Sequence, residues 1–371
     1  MRSARGMTAR LEPLSDIESL AADWQGLQAR AAHRYFLSWG WIGCWLRHLP
    51  ETVAPLVLRV TDGPSLVGLA VVCPRDARRH GLLRSRSLHL NETGDPRLDE
   101  LTIEHNGFLA ERGAEPAVWQ TAQTCFIEAL AEKRWDEVFL AAVGEEMKDH
   151  WVPPATLRRE AVNHMVDLAA IRAVGGDYIA WLGKKTRQHL RRSLRLYGER
   201  GEPLASAAAT VDEAQAFLTS LIALHQADWQ SRGLPGAFAD PWIVAFHRAL
   251  IDARFDQGEI QLLKVSAGDW TLGYLYHFLY EGRVYSYQWG LAPESDDKIN
   301  FGMVADYLAV MHNLEAGAEV FDFLHGDNLH KRRLGTGEEW SYWLVLQRPR
   351  LAFALEDRAR DWKRRREARK G

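Results

Sequence analysis

Charged side chains cluster directly after an apolar run near the C-terminal end of the chain. Asp322 interrupts the run VFDFL, and Asp327 and Lys331 follow it in HGDNLHKRR. A carboxylate inside an apolar strand needs a partner or a polar cavity. Lys331 is the expected partner, because both residues are predicted near the end of one strand. The segment predicts either a structural ion pair or a group that transfers protons or orients a substrate amine.

An aromatic strand, YSYQWG, precedes this loop. Side chains alternate between the two faces of a strand, so Tyr285, Tyr287 and Trp289 share one face. This face is either a core layer or the floor of a cleft. The hydroxyl groups of the two tyrosines need partners, which favours a cleft and makes Tyr287 a candidate catalytic residue. The residues expected to bind substrate are His225, Trp229, Gln288, Trp289 and His325.

A helix is predicted from Asn300 to Glu315, and its start has features of an anion site. Lys298 adds a charge, and Gly302 lets a ligand approach the free N–H groups of the first turn. This start is expected to bind a pyrophosphate or a carboxylate. In the alternative interpretation, Asn300 is only an N-cap.

A second basic feature lies far upstream, in KKTRQHLRRSLRLYG. Arg187, Arg191 and Arg195 recur every four residues and form one helical stripe. The stripe is either a solvated face or a phosphate-facing one, with Arg187 and Arg191 as candidate cofactor contacts.

Both halves of the chain show the same order of predicted elements: helices, strands joined by tight turns, a helix and a strand. The short turns require antiparallel pairing, which argues against a TIM barrel and a doubly wound sheet. The predicted class is α+β, with domains over residues 1–150 and 151–350 and a basic helix or tail over 351–371. The predicted local elements include a basic loop over 75–86, a strand over 100–103 and a helix over 179–197.

The composition is that of an ordinary globular protein, with 371 residues, 47% hydrophobic, 26% charged and a net charge of −3. That charge implies no polyelectrolyte partner. Three widely spaced cysteines, Cys44, Cys73 and Cys125, argue against a disulfide framework and a zinc site, so no metal is expected. The N-terminal segment lacks the apolar core of a secretory signal, and no apolar run has the length of a membrane span. A cytoplasmic location is expected.

The chain resembles a known family in FDFLHGDNLHKRRLGT, YSYQWG, RQHLRRSLRLYG, LHQADWQSRG and FLSWGWIGCWL. It is similar to the CelD-like branch of the GNAT acetyltransferase superfamily, which is related to the FemAB peptidyltransferases. The resemblance implies two tandem GNAT-like domains and an acetyl-CoA or other acyl-CoA donor near residues 298–302. The family's motif positions match Asp322, Phe323, Gly326, Asp327 and Lys331. Two positions depart from the family pattern, His330 before the lysine and Phe301 before the glycine.

Three hypotheses follow. The first is an N-acyltransferase that moves an acyl group from acyl-CoA to an amine of a small molecule, sugar or amino acid. The second is a Fem-type aminoacyl transferase that uses aminoacyl-tRNA, gripped by the basic helix and tail. The third is a non-catalytic scaffold in a polysaccharide biosynthesis assembly.

Overall fold

A computed structural model describes residues 6–79, 83–151, 155–294, 296, 299–326, 328–356, 358 and 362. The first half begins with an edge strand and two helices and continues with a meander of strands. Its elements are β1 (Met7–Pro13), α1 (Ile17–Gln28), α2 (Trp39–His48), β2 (Leu56–Asp62), β3 (Ser65–Arg79), β4 (Leu83–Leu90), the short β5 (Leu109–Ala110), α3 (Glu115–Ala131), β6 (Glu137–Gly144), α4 (Glu145–His150) and β7 (Ala155–Asp167).

Three helices connect the halves, and the second half then repeats the order of the first. The connecting helices are α5 (Leu168–Ala173), α6 (Tyr178–Trp181) and α7 (Lys184–Gly198). The second half consists of β8 (Pro203–Ala207), α8 (Val211–Ser231), α9 (Pro241–Arg254), β9 (Ile260–Ala267), β10 (Trp270–Tyr280), β11 (Arg283–Leu291), α10 (Phe301–Glu315), β12 (Val320–His325), α11 (Leu329–Leu334) and β13 (Gly337–Gln347).

The described strands form one sheet whose order is nearly symmetric about its centre. The order is β1-β2-β3-β4-β6-β13-β7-β12-β11-β10-β9-β8, with β5 paired to β3. The last strand of each half is exchanged, because β13 pairs with β6 and β7 pairs with β12, all antiparallel. The α+β class and the tandem arrangement are confirmed, and the exchange joins the two sheets into one.

Each half contains one parallel strand pair that is connected through a helix. β4 and β6 pair over Ser87–His89 only, and β11 and β12 pair over Arg283–Tyr285 only. Beyond these residues the strands part, because twisted strands with so little pairing diverge. Each half therefore contains a gap between its two diverging strands, which we call a wedge. The two wedges are occupied by different groups.

Three apolar clusters cover the sheet. One packs α1 and α2 of the first half against α8, α9 and the β10–β11 strands of the second, with Trp41, Phe246 and Phe278 in contact. The second cluster covers the first half's strands together with the exchanged β13, and the third covers the second half's strands together with the exchanged β7. The shared cluster fixes one half against the other through buried aromatic area.

Some local expectations differ from the structure. Residues 75–79 and 83–86 belong to a β-hairpin rather than a loop, and residues 99–101 form a 3-10 turn rather than a strand. The helix predicted over 179–197 is two helices, α6 and α7, because Leu182 and Gly183 adopt extended backbone. Among the described helices, none combines the length and apolar character needed to cross a bilayer. The domain limits stay a prediction.

Candidate active site

A cavity of about 490 Å³ lies beside the end of β11, beyond the short stretch over which β11 pairs with β12. It lies between α8, the end of β11, the start of α10 and α11. Most of its wall is apolar, with charged groups at Asp228, Arg232 and Asp306. Its lining residues are Leu224, Ala227, Asp228, Ser231, Arg232, Trp289, Leu291, Pro293, Asn300, Phe301, Gly302, Asp306 and His330.

A β-bulge in β11 explains which aromatic side chains reach the cavity. Tyr276 pairs with Gln288 and His277 with Ser286, so Tyr287 is an extra residue on β11. A bulge interrupts the alternation of faces. Trp289, 41% exposed, lines the cavity, while Tyr285 is buried in the shared core.

Tyr287 does not line this cavity. Its ring packs against Trp41 and Phe278, and its hydroxyl donates to the Leu101 carbonyl at 2.5 Å. Burial raises the pKa of this phenol far above its usual range. The prediction of Tyr287 as a site-lining residue is therefore wrong, since the hydroxyl finds its partner in the core.

The start of α10 forms part of the cavity wall. Asn300 is the N-cap, because its Oδ1 accepts from the Met303 N–H at 3.1 Å. Its own N–H donates to Ser193 Oγ at 3.1 Å, which fixes α10 against α7. Gly302 leaves space in the cavity next to His330, because a Cβ at this position would lie only 3.2 Å from Cε1 of His330. Lys298 lies outside the described residues.

Asp306 and His330 form a polar pair in the cavity that sequence reasoning missed. Nε2 of His330 lies 3.5 Å from Oδ2 of Asp306, whose side chain is 13% exposed. Burial raises the pKa of Asp306, opposed by His330 and Lys331. A signal was present, because Asp306 follows Gly302 by four residues and so lies on the same face of α10.

Lys331 belongs to α11, and its ammonium reaches back to the end of β12. Its ammonium donates to the carbonyls of His325 at 2.9 Å and Leu324 at 3.3 Å. Burial lowers its pKa, while Glu104, Asp306 and Asp322 raise it. The lysine is therefore held by backbone carbonyls rather than by an ion pair with Asp322.

Asp322 belongs to a charge network between the halves, so the predicted pairing with Lys331 is wrong. Its Oδ2 accepts from Nη1 of Arg283 and from Nε2 of His105, each at 2.8 Å. Arg283 also donates to Glu339 at 2.8 Å. Burial alone would raise the pKa of Asp322, but His105, Arg283 and the Leu324 N–H lower it far below its usual range. A carboxylate held in this way is a poor proton acceptor.

Three members of this network, His105, Asp322 and Glu339, have ligand atoms within 4.8 Å of one another. Such spacing can hold a metal ion. Arg283 already donates to both carboxylates, however, so a cation there would have to displace its guanidinium.

A second cavity, of about 570 Å³, lies between the halves. Gln288, next to Trp289 on β11, contributes to its wall together with His225 and Trp229 of α8. The lining residues are Pro96, Arg97, Glu100, Thr102, His225, Trp229, Pro235, Gly236, Ala237, Ala239, Asp240, Ile243 and Gln288. His225, Trp229 and Gln288 therefore come together, and Trp289 lies in the first cavity.

His225 joins the walls of the two cavities. Its Nε2 accepts from the Ala237 N–H at 3.3 Å, so Nδ1 carries the proton and donates to the Trp289 carbonyl at 3.0 Å. Burial lowers the pKa of this imidazole. Both nitrogens are occupied, so His225 shapes the wall rather than transferring protons.

The remaining predicted residues lie away from both cavities. Arg187 donates to the Ala180 carbonyl at 3.0 Å, and Arg191 is exposed on α7. Nδ1 of His325 lies 2.8 Å from Oε1 of Glu104, and its ring packs on Trp343. Asp327 lies outside the described residues.

Comparison with known proteins identifies the fold. Residues 184–332 match the family described as "Acetyltransferase (GNAT) domain". The crystal structure of FemX has a TM-score of 0.58 at 10% identity, covering 90% of this chain and 97% of that one. The structure of L-PGS from Bacillus licheniformis has a TM-score of 0.51 at 10% identity, covering 90% and 94%. Comparison with curated proteins found no match.

The parted strands, the helix start at Asn300 and the repeated order of elements define a tandem GNAT fold, which is also related to that of FemX. The match to the GNAT acetyltransferase domain covers residues 184–332, and the likeness to FemX extends the fold over most of the chain.

Proposed function

We propose that the protein is an N-acyltransferase that moves an acyl group, acetyl or another, from acyl-CoA to a primary amine. The observation that carries the proposal is the open cavity beside the end of β11, next to the start of α10. The order strand, helix start, helix and diverging strand provides a slot for an extended donor and N–H groups for its phosphates.

The surroundings of the cavity fit the parts of acyl-CoA. The apolar wall of Leu224, Leu291 and Phe301 suits the pantetheine arm. The Ser193–Asn300 contact places α7 beside the start of α10. α7 exposes the basic residues Lys184, Lys185, His189, Arg191, Arg192 and Arg195, which favour a donor with phosphate groups.

The second cavity is the proposed acceptor site. It adjoins the first across β11, because Gln288 and Trp289 are consecutive residues. Glu100, Thr102 and Gln288 offer polar groups to an ammonium or hydroxyl-bearing acceptor.

In the proposed reaction the neutral amine nitrogen attacks the thioester carbonyl. A C–N bond forms, the C–S bond breaks, and the CoA sulfur leaves and takes up one proton. The amine loses a proton, for which the Asp306–His330 pair, with the raised pKa of Asp306, is the candidate acceptor. Lys331 is the candidate for stabilising the developing oxyanion, because its ammonium is held at the end of the parted strand.

Isothermal titration with acetyl-CoA tests the donor, and release of free CoA thiol on adding a panel of amino sugars and amino acids tests the transfer. Heat on binding and amine-dependent thiol release are expected. No heat with acetyl-CoA or longer acyl-CoA would remove the donor from the proposal. Binding without thiol release from any amine would favour the scaffold hypothesis.

A second candidate is aminoacyl transfer from aminoacyl-tRNA, as the FemAB resemblance implies. The fold shared with FemX over 90% of the chain and the exposed basic face of α7 favour it. Binding of aminoacyl-tRNA should then weaken steeply with salt, with a log–log slope set by the number of phosphates contacted. Filter binding between low and physiological salt separates the two donors.

A further inference from the structure

A loop of the first half, residues 102–106, contacts the end of β12 at two points. Nε2 of His105 donates to Oδ2 of Asp322 at 2.8 Å. Oε2 of Glu104 accepts from the His325 N–H at 2.6 Å, and its Oε1 lies 2.8 Å from Nδ1 of His325. Two consecutive residues thus hold positions 322 and 325 of one strand.

Between these contacts β12 is irregular. Its pairing with β7 shifts between Asp322 and His325, and Leu324 has a φ of +59°. Oδ1 of Asp322 accepts from the Leu324 N–H at 2.8 Å, which stabilises that conformation. The carbonyls of Leu324 and His325 are thereby turned toward the ammonium of Lys331.

The loop itself has an unusual backbone. Thr102 and His105 both have a φ of +47°, in the left-handed region that non-glycine residues rarely adopt. Such strain persists only where surrounding contacts fix it, and it clusters at functional sites. The contacts to β12 supply this fixing.

We propose that Glu104 and His105 are positioning residues for Lys331, so that the first half sets the orientation and charge of a group in the active site of the second. This inference rests on the proposed function for the role of Lys331. It gives the loop a purpose beyond joining the halves, because each contact acts on the carbonyls that hold the lysine.

The charges around Lys331 make the proposal measurable. Glu104 faces it from the loop, Asp306 from α10 and Asp322 from β12. His330, Arg332 and Arg333 belong to its own helix. Glu104→Gln removes one carboxylate while keeping a carbonyl oxygen for the His325 N–H. The pKa of Lys331 should then fall further, and activity that needs the ammonium should be lost at lower pH.

The test is competitive labelling of the full chain with acetic anhydride over a pH series, with Lys331 read by mass spectrometry. In Glu104→Gln the labelling midpoint of Lys331 should fall by about one pH unit. Glu12→Gln, an exposed carboxylate on β1, should leave it unchanged. An unchanged midpoint in a folded Glu104→Gln would overturn the proposal.

Two further variants separate orientation from charge. Glu104→Asp keeps the charge but shortens the side chain, so the midpoint should stay while kcat falls at least about tenfold with KM for acyl-CoA unchanged. His105→Asn should lower kcat in the same way. Wild-type kcat in both variants would overturn the positioning role, and Glu104→Asp answers this even if Glu104→Gln does not fold. The labelling needs no donor, so failure of acyl-CoA to bind would count against the proposed function alone.

Discussion

The two wedges of the molecule share a topology but differ in what fills them. Where β4 and β6 part, Asn106 bridges the gap, with its N–H donating to the Ala142 carbonyl at 3.0 Å and its Nδ2 to the Leu90 carbonyl at 2.9 Å. Asn91 completes the closure by donating to Oδ1 of Asn106 at 2.8 Å. Beside the end of β11, beyond its pairing with β12, a cavity remains.

The helices that connect the diverging strands, α3 in the first half and α10 in the second, also differ in their first turns. α3 begins with Glu115 and Pro116, so a carboxylate already lies at its positive end and one N–H is missing. α10 has no acidic residue in its first turn and carries Gly302 where α3 carries proline. Sequence differences at a few positions thus close the gap in the first half and leave a cavity in the second.

The largest expected effect comes from replacing Asp322, the buried carboxylate on β12 beside the wedge of the second half. Asp322→Asn removes the carboxylate that Arg283 and His105 share and leaves Arg283 with Glu339 alone, which should lower the free energy of unfolding by about 3–5 kcal/mol at pH 7. The folded-state pKa of Asp322 is depressed, so its contribution is present above the unfolded value of about 3.9 and is lost as pH falls through the folded value. Urea unfolding of both proteins should show the difference shrinking below about pH 4. A difference that is constant with pH would contradict the ionised network.

The next effect tests the open wedge directly. Gly302→Leu places a side chain against His330 in the cavity and should weaken acetyl-CoA binding at least about 100-fold, or about 2.7 kcal/mol. Gly26→Leu, on an exposed face of α1 with open space around it, is the matched control and should bind as wild type. Calorimetry on both measures the effect. Equal binding would place the donor elsewhere.

A substitution in the wedge between β4 and β6, which Asn106 closes, should lower the stability of the protein without changing donor binding. Asn106→Ala removes the buried hydrogen bonds that its side chain makes with Asn91, the Leu90 carbonyl and the Gly107 N–H, and should lower the free energy of unfolding by about 2–3 kcal/mol. Acetyl-CoA titration should still give one donor per chain. A second donor site in wild type would break the distinction between the wedges.

The smallest expected effect concerns the basic face of α7. Arg191→Gln should weaken acetyl-CoA binding about threefold at low salt, and the difference should vanish at high salt because the exposed charge is screened. Titrations at two salt concentrations measure it, with Arg10→Gln on β1 as a control. An effect that persists at high salt would indicate direct contact rather than a long-range field.

Much of the fold could be predicted because its signals are local. The helix start at Asn300, the aromatic strand and the apolar run VFDFL follow from capping, alternation and hydrophobicity. The exchange of β7 and β13 could not be predicted, since neither strand's sequence specifies its neighbour.

The candidate site was predictable only in part. Asn300, Gly302 and Trp289 line the first cavity and His225, Trp229 and Gln288 the second. The alternation of side chains predicted the wrong environment for Tyr287, because the bulge in β11 depends on how β10 pairs with that strand.

The sequence by itself determined the order of elements, the superfamily resemblance and the residue types at the site, because these depend on short-range patterns. Only the tertiary structure decided the partners. Asp322 binds Arg283 and His105 rather than Lys331, and the lysine is held by two carbonyls. Partners come from strands and loops far apart in the chain, so long-range packing alone brings their charges together.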